Sequence, residues 1–259
     1  MLGLRNLYRV FHESRAAARK HATLAVLGDT PEAERLADLL GAQRGAKGAE
    51  ILIAVTGARD EAGVVEVSLS GEAVGDAEGV ILLSKTTEEA VRQELAPRLT
   101  GSLHEEYLVA LGRGYPVFRR SVCWKIIHKN ARQNGVIGAL PIPGADMPAI
   151  AANQGRMVLG IAAAHGEEIS LDRARELLGV LAAGFGLRAL ARQIVKLVPV
   201  GGWATSGAIG FAGTLAMGQT AIRYFERGQK KPEPEELSEI RQWAREEAKA
   251  FLSRARRRR

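Results

Sequence analysis

The uncharged stretch LVPVGGWATSGAIGFAGTLAMGQTAI, residues 197–222, decides the predicted fold of the C-terminal half of the chain. It is rich in Gly, Ala, Ser and Thr rather than in Leu and Ile. Small residues recur at every fourth position, in a first ladder that consists of Gly202, Ser206, Gly210, Thr214 and Gly218. Because residues four apart share one helix face, this ladder predicts a helix that packs closely against another helix.

A second ladder of small residues runs beside the first and consists of Ala204, Ala208, Ala212 and Ala216. The two ridges predict a groove for a neighbouring helix, and the small, apolar stretch at residues 135–164 is the expected partner. Such packing occurs both in membranes and in water, and residues 197–222 are long enough to cross a bilayer. The pattern leaves open whether they do so.

The segment PIPGADMPAIAANQ, residues 141–154, places polar side chains inside this apolar region. A Pro-Gly break followed by an aspartate and a proline is typical of a helix start, so Asp146 is expected to cap the following helix. Asn153 and Gln154 are then expected to hydrogen-bond to a neighbouring helix, because a buried amide without a partner costs a few kcal/mol, about 1–3. Binding of a ligand or an ion by these residues is the alternative.

Basic residues stand at helical spacing before each of the two apolar stretches, and more follow at the C-terminus. Basic side chains beside apolar helix ends favour an anionic membrane surface, at about 1 kcal/mol each. Solvated faces of amphipathic helices are the alternative. The predicted surface-binding residues are Lys125, Lys129, Arg132, Arg188, Arg192, Lys196, Arg256, Arg257, Arg258 and Arg259.

The N-terminal part of the chain alternates short apolar runs with helical patterns. The runs TLAVLGD, EILIAVT, VVEVSLS and VILLSKT are bounded by Gly, Asp or Thr and predict strands, while PEAERLADLLG and EEAVRQELAPRL predict helices. This arrangement predicts a small α/β layer at residues 23–100. It is short for a complete nucleotide-binding domain.

Gly28, Asp29 and Thr30 form a nucleotide candidate, because they follow a strand and precede a helix at the position of a phosphate-binding loop. Such a loop requires GxxxxGK[ST], in which the lysine reaches the phosphates and the hydroxyl binds Mg²⁺. Residues 33–35 are instead Ala-Glu-Arg, and the glutamate repels a phosphate. The alternative is an ordinary turn with Asp29 or Thr30 as the N-cap and Pro31 at the first helical position.

The amino-acid composition limits the classes of function that we expect for the chain. Lys and Arg outnumber Asp and Glu by 36 to 29, giving a net charge of +7, which favours anionic partners over acidic proteins. A single cysteine and five histidines without metal-ligand spacing predict a reduced protein that needs no metal or other cofactor. Because no catalytic motif is intact, we expect a protein that is not an enzyme.

The predicted fold class is α+β, with a small N-terminal α/β layer that lacks a functional phosphate-binding loop and a larger all-α domain. The predicted regions are a basic amphipathic helix at residues 1–22, the α/β layer at 23–100, a helical domain at 101–229, and a linker, amphipathic helix and polybasic tail at 230–259. Because residues 1–20 lack a continuous apolar run, a cleaved secretory signal is not expected.

The motifs of the apolar region carry a family resemblance. The segments NGVIGALPIPGADMPAIAANQGRMVLGIAAAHG, RARELLGVLAAGFGLRALARQIVKLVPVGGWA and GTLAMGQTAIRYFERG occur in this order within residues 116–228. This region resembles a bacterial helical domain of unknown function that occurs behind Era-like GTPase domains and in YcjF-like inner-membrane proteins. The resemblance implies a helical, membrane-associated domain and supplies no catalytic residues.

These observations predict a non-enzymatic bacterial protein on the cytoplasmic side of the inner membrane, peripheral or partly inserted, with a cytoplasmic location as the alternative. Its helical domain is expected to bind an anionic membrane surface. Its α/β layer is expected either to bind a protein partner or to be a pseudo-GTPase module. The alternative is a nucleotide-binding protein or an atypical GTPase-related enzyme. Nucleic-acid binding by RARRRR is the least favoured alternative, because no aromatic and basic platform accompanies the tail. Small-residue ridges permit a homo-oligomer without requiring one.

Overall fold

The computed structural model describes residues 12, 19–57, 63–75, 79–140, 146–169 and 203–257, with the backbone alone at 146–148, 203–204 and 255–257. The chain divides into two compact units. We call residues 16–125 with 164–166 the sheet unit, and residues 1–15, 126–163 and 167–259 the helical unit. The predicted N-terminal helix at 1–22 lies mostly outside the described residues. The predicted α+β class is confirmed.

The sheet unit contains five strands and the helices that cover them. The strands are β1 (Leu24–Leu27), β2 (Gln43–Arg44), β3 (Ile51–Val55), β4 (Val65–Ser70) and β5 (Val80–Leu83). The helices are α1 (Pro31–Leu40), α2 (Glu88–Ala90), a π-helical turn (Val91–Leu95), α3 (Ala96–Ser102), α4 (Glu105–Gly114) and the first part of α5 (Pro116–Gly138).

The strand order in the sheet is β2-β1-β3-β4-β5. Strand β1 is parallel to both β2 and β3, while β4 is antiparallel to β3 and to β5. The short strand β2 was not predicted, because two residues are too few to show an apolar pattern. The sheet is therefore mixed, with β2 and β5 at its edges.

Alternation along the strands sets the core of the sheet unit. In β3, Ile51, Ile53 and Val55 are buried while the residues between them are half-exposed, as expected for a strand with one covered face. Large aliphatic and aromatic side chains from the strands and helices are fully buried in this core, namely Leu24, Leu36, Ile51, Ile53, Leu83, Leu95, Leu99, Leu111 and Phe118. Most of the volume of this core therefore comes from large side chains.

The helical unit contains the remainder of α5, helix α6 (Asp146–Ala164), helix α7 (Trp203–Glu226) and helix α8 (Pro234–Arg257). The division between the two units falls within α5, after Lys125, whereas the predicted boundary was residue 100. Helix α7 ends in a turn where Gln229 has a φ of 66° and its N–H donates to the Tyr224 carbonyl. The turn reverses the chain, so α8 packs back on α7.

Local interactions hold the start of α8. The carboxylate of Glu236 accepts a hydrogen bond from the backbone N–H of Glu233 at 2.9 Å. The Arg227 guanidinium donates to the side-chain carboxylates of both Glu233 and Glu236. The backbone bond is the first cause of a lowered pKa at Glu236, followed by the charge of Arg227. A carboxylate at the start of a helix is favoured by the unpaired N–H groups there.

Candidate functional site

A network of polar side chains connects three helices inside the helical unit. The Asn153 amide of α6 donates to Oδ1 of Asn134 in α5 at 2.9 Å, and the Asn134 amide donates to Oγ1 of Thr214 in α7 at 2.8 Å. All three residues are buried. Because buried amides need partners, each of these hydrogen bonds favours one register of α5, α6 and α7.

Two further residues complete this network. The Gln154 amide donates to Oγ1 of Thr214 at 3.3 Å, and the Thr214 hydroxyl donates to the carbonyl of Gly210 at 2.7 Å. The backbone carbonyl of Asn130 accepts from the Asn153 amide at 3.4 Å, and the Asn130 side chain donates to the carbonyl of Ile126 at 2.7 Å, within its own helix. Asn153 and Gln154 thus contact neighbouring helices, and their described bonds are to protein groups.

Helices α5 and α7 approach each other to backbone contact. A Cβ atom at Gly210 would lie 2.6 Å from the carbonyl oxygen of Asn134, and one at Gly138 would lie 2.8 Å from the carbonyl oxygen of Ser206. At Gly207, it would lie 2.7 Å from the carbonyl oxygen of Gly135. Real side chains do not fit at these distances, so glycine is required for this close approach.

The first small-residue ladder faces α5 along much of its length. A Cβ atom at Gly218 would lie 2.5 Å from Cγ1 of Ile127, and Thr214 binds Asn134 as described above. Gly202 lies outside the described residues. The ladder contacts the expected partner, the stretch 135–164, where Ser206 meets Gly138, Gly210 lies near Ile150 and Thr214 binds Gln154. It also contacts α5 upstream of that stretch, at Ile127 and Asn134.

The second ladder contacts a different helix. Ala208, Ala212 and Ala216 are fully buried in one cluster with residues of α8, namely Ile240, Ala244, Ala248 and Leu252. Phe211 of α7 stacks on Phe251 of α8 with the ring centroids 4.8 Å apart. The two ladders thus do not form one groove. They form two faces of α7, because residues two apart on a helix point about 160° from each other at 3.6 residues per turn.

Several predicted residues lie outside the described part of the chain. Helix α6 begins at Asp146, but the Asp146 side chain is not described, so its predicted capping role stays a prediction. The same holds for the second basic group and the end of the tail, which comprise Arg188, Arg192, Lys196, Arg256, Arg257, Arg258 and Arg259.

Lys125 hydrogen-bonds to the C-terminal end of a helix in the sheet unit. Its ammonium group donates to the carbonyl oxygens of Thr100, Gly101 and Leu103 at 2.6, 3.0 and 2.8 Å. These carbonyls lie at the C-terminal end of α3, where a cation compensates the unpaired acceptors. An ammonium group has three hydrogens, so these bonds favour a structural role for Lys125 over binding of an external anion.

Lys129 and Arg132 are exposed on α5, and they share a face with exposed apolar residues. Val136 is 62% exposed and Leu140, just after the helix, is 49% exposed. Positions 129, 132, 136 and 140 follow helical spacing, so these side chains lie along one side. We call Lys129, Arg132, Val136 and Leu140 the α5 tip.

His128 lies beside the α5 tip and is half-buried. Burial lowers its pKa below the ordinary value of 6.5, and the charge of Arg132 lowers it further, while Glu247 acts in the opposite direction. His128 is therefore neutral at neutral pH. The positive charge of the α5 tip comes from Lys129 and Arg132.

The turn around Gly28 is a compact helix start. Gly28 has a φ of 138°, and a Cβ atom there would lie 3.0 Å from the carbonyl oxygen of Val55. Oγ1 of Thr30 accepts a hydrogen bond from the N–H of Ala33 at 3.2 Å, so Thr30 is the N-cap of α1, and Pro31 is at its first position. Asp29 does not take this role.

This cap occupies an amide that a bound phosphate would need. The N–H of Glu34 also bonds within the turn, to the Thr30 carbonyl at 3.2 Å, and Glu32 and Glu34 place two carboxylates in the first turn of α1. Negative charge at this end of a helix competes with an anion. The geometry therefore favours the ordinary turn over nucleotide binding at Gly28, Asp29 and Thr30.

Sequence reasoning missed Asn130 and Asn134 in the network and Val136 and Leu140 at the α5 tip. The two asparagines are four residues apart in α5, which was a usable signal for one polar helix face. No comparable signal identified Val136 and Leu140, because an apolar residue in an apolar stretch is ordinarily assigned to the core.

The described residues contain neither a candidate membrane span nor a candidate metal cluster. Among the helices of that part of the chain, none combines the length and the apolar character that a bilayer span needs. The same residues contain no group of three or more His, Cys, Asp or Glu side chains placed to hold a metal ion.

The family comparison covers the helices that build the polar network. Residues 117–250, more than half of the chain, match the family model described as Domain of unknown function (DUF697). The chain belongs to this family. The DUF697 match continues through most of α8, whereas the predicted resemblance ended at residue 228. No curated protein and no solved structure matches the chain.

Because α8 supplies the cluster against the second ladder, its inclusion in the DUF697 match has a structural reason. The ladder residues Ala208, Ala212 and Ala216 pack directly against Ala244 and the other cluster residues of α8. The DUF697 region therefore takes in both helices that flank α7, and α8 is part of the domain rather than an appendage to it.

Proposed function

We propose that the helical unit binds an anionic membrane surface peripherally, through the α5 tip. The observation that carries this proposal is the exposure of Val136 and Leu140, 62% and 49%, on the same side of α5 as the exposed Lys129 and Arg132. Apolar side chains beside basic ones match a lipid interface, where acyl chains lie below anionic headgroups.

The spacing along α5 fits this orientation. At about 1.5 Å per residue, Lys129 and Val136 are separated by about 10 Å along the helix axis. The apolar face of an interfacial helix reaches about 5–10 Å below the headgroups. With Val136 and Leu140 at that depth, Lys129 and Arg132 lie at the level of the phosphates. The net charge of +7 favours the same surface.

The glycine and alanine ladders of α7 are not the proposed lipid contact. Gly210 and Gly218 pack against α5, and Ala212 and Ala216 pack against α8. Exposing those faces to lipid would require α7 to lose both neighbours. The proposal therefore uses residues that are already at the surface.

The expected affinity is modest. Each basic residue near an anionic surface contributes about 1 kcal/mol, and half-burial of a Val or Leu side chain contributes about another 1 kcal/mol. Four residues give about 4 kcal/mol, which corresponds to a dissociation constant of about 1 mM. Binding should therefore be reversible and salt-sensitive.

Vesicle flotation tests the proposal. The full chain is mixed with vesicles of phosphatidylglycerol and phosphatidylcholine, or of phosphatidylcholine alone, at low and at high salt. We expect flotation only with the anionic vesicles at low salt. The double variants Val136→Asp/Leu140→Asp and Lys129→Gln/Arg132→Gln should each reduce it strongly.

Matched control variants place the same changes in the sheet unit. Val80→Asp/Leu82→Asp alters two residues that are 52% and 64% exposed, and Lys85→Gln/Arg98→Gln removes two exposed charges. Both controls should float like the wild type. Equal loss in the controls and the α5 tip variants, or no flotation of the wild type with anionic vesicles, refutes the proposal.

For the sheet unit, partner binding is favoured over a nucleotide-related role. Val80 and Leu82 are exposed on the edge strand β5, which leaves an apolar surface for another protein or a second copy. Sedimentation velocity across a concentration series should show self-association of the wild type and less of Leu82→Lys. Equal sedimentation of the two proteins would exclude β5 as a self-association surface.

A further inference from the structure

The edge strand β5 has an open outer side. It is the last strand in the sheet order, so among the described residues no strand pairs with it on the side away from β4. The side chains of Val80 and Leu82 are exposed, whereas those of Ile81 and Leu83 are buried. A Cβ atom at Gly79, just before the strand, would meet nothing within 4 Å. The outer side of β5 is therefore accessible at residues 79–82.

The hydrogen bonds of the sheet show which backbone groups of β5 face outward. The N–H of Thr56 donates to the carbonyl of Glu66, which lies directly opposite it when the β3–β4 register is continued by one residue. In an antiparallel pair, opposite residues that exchange hydrogen bonds alternate with opposite residues that do not. The backbone groups of Glu66 therefore face β3, and those of the next residue, Val67, face β5. Val67 lies opposite Ile81, so the backbone groups of Ile81 bond to β4.

Val80 and Leu82 flank Ile81, so their backbone N–H and carbonyl groups point away from β4. Ser84 belongs to the same set, and its N–H donates to the carboxylate of Glu94 in the π-helical turn at 2.7 Å. This bond agrees with the outward direction and closes the edge at the end of β5. In the described part of the chain, Val80 and Leu82 make no such bond on this side. Unpaired backbone groups of this kind are a template for another strand.

We infer that β5 pairs with β5 of a second copy of the chain as antiparallel strands, with Val80 of each copy opposite Leu82 of the other. The pairing rests on the proposed partner-binding role of the sheet unit, and it names a second copy as the partner. In this register all the outward N–H and carbonyl groups of Val80 and Leu82 in both copies are bonded, across a two-fold axis at Ile81.

The other symmetric registers leave outward groups unpaired. With Leu82 opposite Leu82, Val80 would have to pair with Ser84, whose N–H is already bound to Glu94. With Val80 opposite Val80, Leu82 would lie opposite residue 78, before the strand begins. The pairing of Val80 with Leu82 is therefore the register that the free groups favour.

The charges beside β5 favour a second copy over an unrelated strand. In the sequence, Asp76 and Glu78 shortly precede β5, and Lys85, which is exposed, shortly follows it. Antiparallel pairing places the beginning of one strand beside the end of the other, so opposite charges meet at both ends of the pair. Val80 of one copy also lies beside Leu82 of the other on the exposed face of the sheet. This edge is thus complementary to itself in charge and in apolar character.

Disulfide cross-linking at high protein concentration tests the register. The contact is short compared with stable interfaces, which bury about 1,200–2,000 Å², so the pair should be weak and reversible. The single cysteine of the chain, Cys123, is buried, so an introduced exposed cysteine gives the signal. Full-length Val80→Cys and Leu82→Cys proteins are oxidised separately and as an equal mixture, and covalent dimers are measured on non-reducing gels and by mass spectrometry.

We expect at least about ten-fold more covalent dimer in the mixture than in either variant alone. Opposite residues have Cα atoms about 5.5 Å apart, whereas identical positions in this register are diagonal, about 7–8 Å apart, which is beyond the usual disulfide range. Ser70→Cys is the matched control, because Ser70 is exposed at the end of the inner strand β4. It should not cross-link to Leu82→Cys.

A proline variant tests whether the backbone makes the contact. Val80→Pro removes an outward N–H at the first residue of an edge strand, where proline is tolerated, and Val80→Thr keeps that N–H with a side chain of similar shape. In sedimentation velocity, Val80→Pro should weaken self-association at least about ten-fold relative to Val80→Thr, because each copy loses a hydrogen bond. Equal self-association of the two variants overturns the inference.

The cross-linking and the sedimentation results distinguish strand pairing from the proposed function. Covalent dimer formed as readily by one cysteine variant alone, or by the Ser70→Cys control, overturns the inference. If Leu82→Lys reduces self-association but the mixture does not cross-link, the apolar surface binds a second copy without strand pairing, so the inference is wrong and the proposed function stands. If the wild type does not self-associate, the inference is also wrong, and the proposed function is restricted to another protein as the partner.

Discussion

The two units of the chain differ in how their elements come into contact. The sheet unit fills its core with large side chains such as Ile51, Ile53 and Leu99, all fully buried. The helical unit instead removes side chains at the contacts, so that Gly210 of α7 meets the backbone of α5 and Ala212 meets α8. The first kind of core is sensitive to loss of volume and the second to its addition.

The polar content of the two cores differs as well. The helical unit buries Asn130, Asn134, Asn153 and Thr214, and the described part of the sheet unit buries Thr100 as its one polar residue. The shapes of large aliphatic side chains restrict how two elements can pack, whereas smooth glycine and alanine surfaces allow several registers. The hydrogen bonds of the amides therefore select the register that small side chains leave open.

The largest expected effect is on the sheet unit. Ile53→Ala removes a fully buried side chain from the central strand β3 and should lower the free energy of unfolding by about 2–5 kcal/mol. Urea denaturation followed by circular dichroism measures this loss. Leu82→Ala on the exposed side of β5 is the control and should stay within about 0.5 kcal/mol of the wild type. Similar losses of unfolding free energy in the two variants would contradict the view that large buried side chains stabilise the sheet unit.

A smaller effect should follow from adding one methyl group to the helical unit. In Gly210→Ala the new Cβ meets the Asn134 carbonyl oxygen at 2.6 Å, so α5 and α7 must separate at a cost of about 1–3 kcal/mol. Thermal unfolding of the variants measures this cost. Gly160→Ala is the matched control, because its nearest neighbour is Ile126 at 3.7 Å.

The control variant Gly160→Ala should change the stability in the opposite direction. Alanine is more favourable than glycine inside a helix by about 1 kcal/mol, and Gly160 has room for the methyl group, so Gly160→Ala should be neutral or stabilising. If Gly210→Ala is also stabilising, the close approach of α5 and α7 is incorrect. This pair of variants separates packing from helix propensity.

The smallest effect concerns the amide network. Asn153→Ala leaves Oδ1 of Asn134 without the donor that lies 2.9 Å away, and it should cost about 1–2 kcal/mol. The double variant Asn153→Ala/Asn134→Ala should cost less than the sum of the two single variants, because the partners are removed together. Gln133→Ala on the exposed side of α5 is the control and should have little effect. Additive losses would mean that the two asparagines do not interact.

Some features followed from the sequence because they depend on local pattern. The four-residue spacing of Gly210, Thr214 and Gly218 predicted a closely packed helix, and Pro31 after a threonine predicted the start of α1. Short apolar runs bounded by Gly, Asp or Thr predicted the strands β3 and β4. Each of these signals lies within one element, where helix and strand periodicity decide which residues share a face.

Other features depend on which elements meet, and periodicity does not contain that information. The sequence marked Lys125 as a surface cation, but the carbonyl oxygens that it contacts belong to a helix end more than twenty residues earlier. The sequence also indicated that Asn153 bonds to a neighbouring helix, but it did not identify Asn134 as the acceptor. These partners are chosen by long-range packing.

The sequence by itself determined the α+β class, the small-residue faces of α7 and the basic character of the chain. Only the tertiary structure decided that one face of α7 contacts α5 and the other α8, that Val136 and Leu140 are exposed, and that β5 lies at an edge of the sheet. The physical reason is that local pattern fixes which residues share a face, whereas burial and partnership arise from contacts between segments distant in sequence.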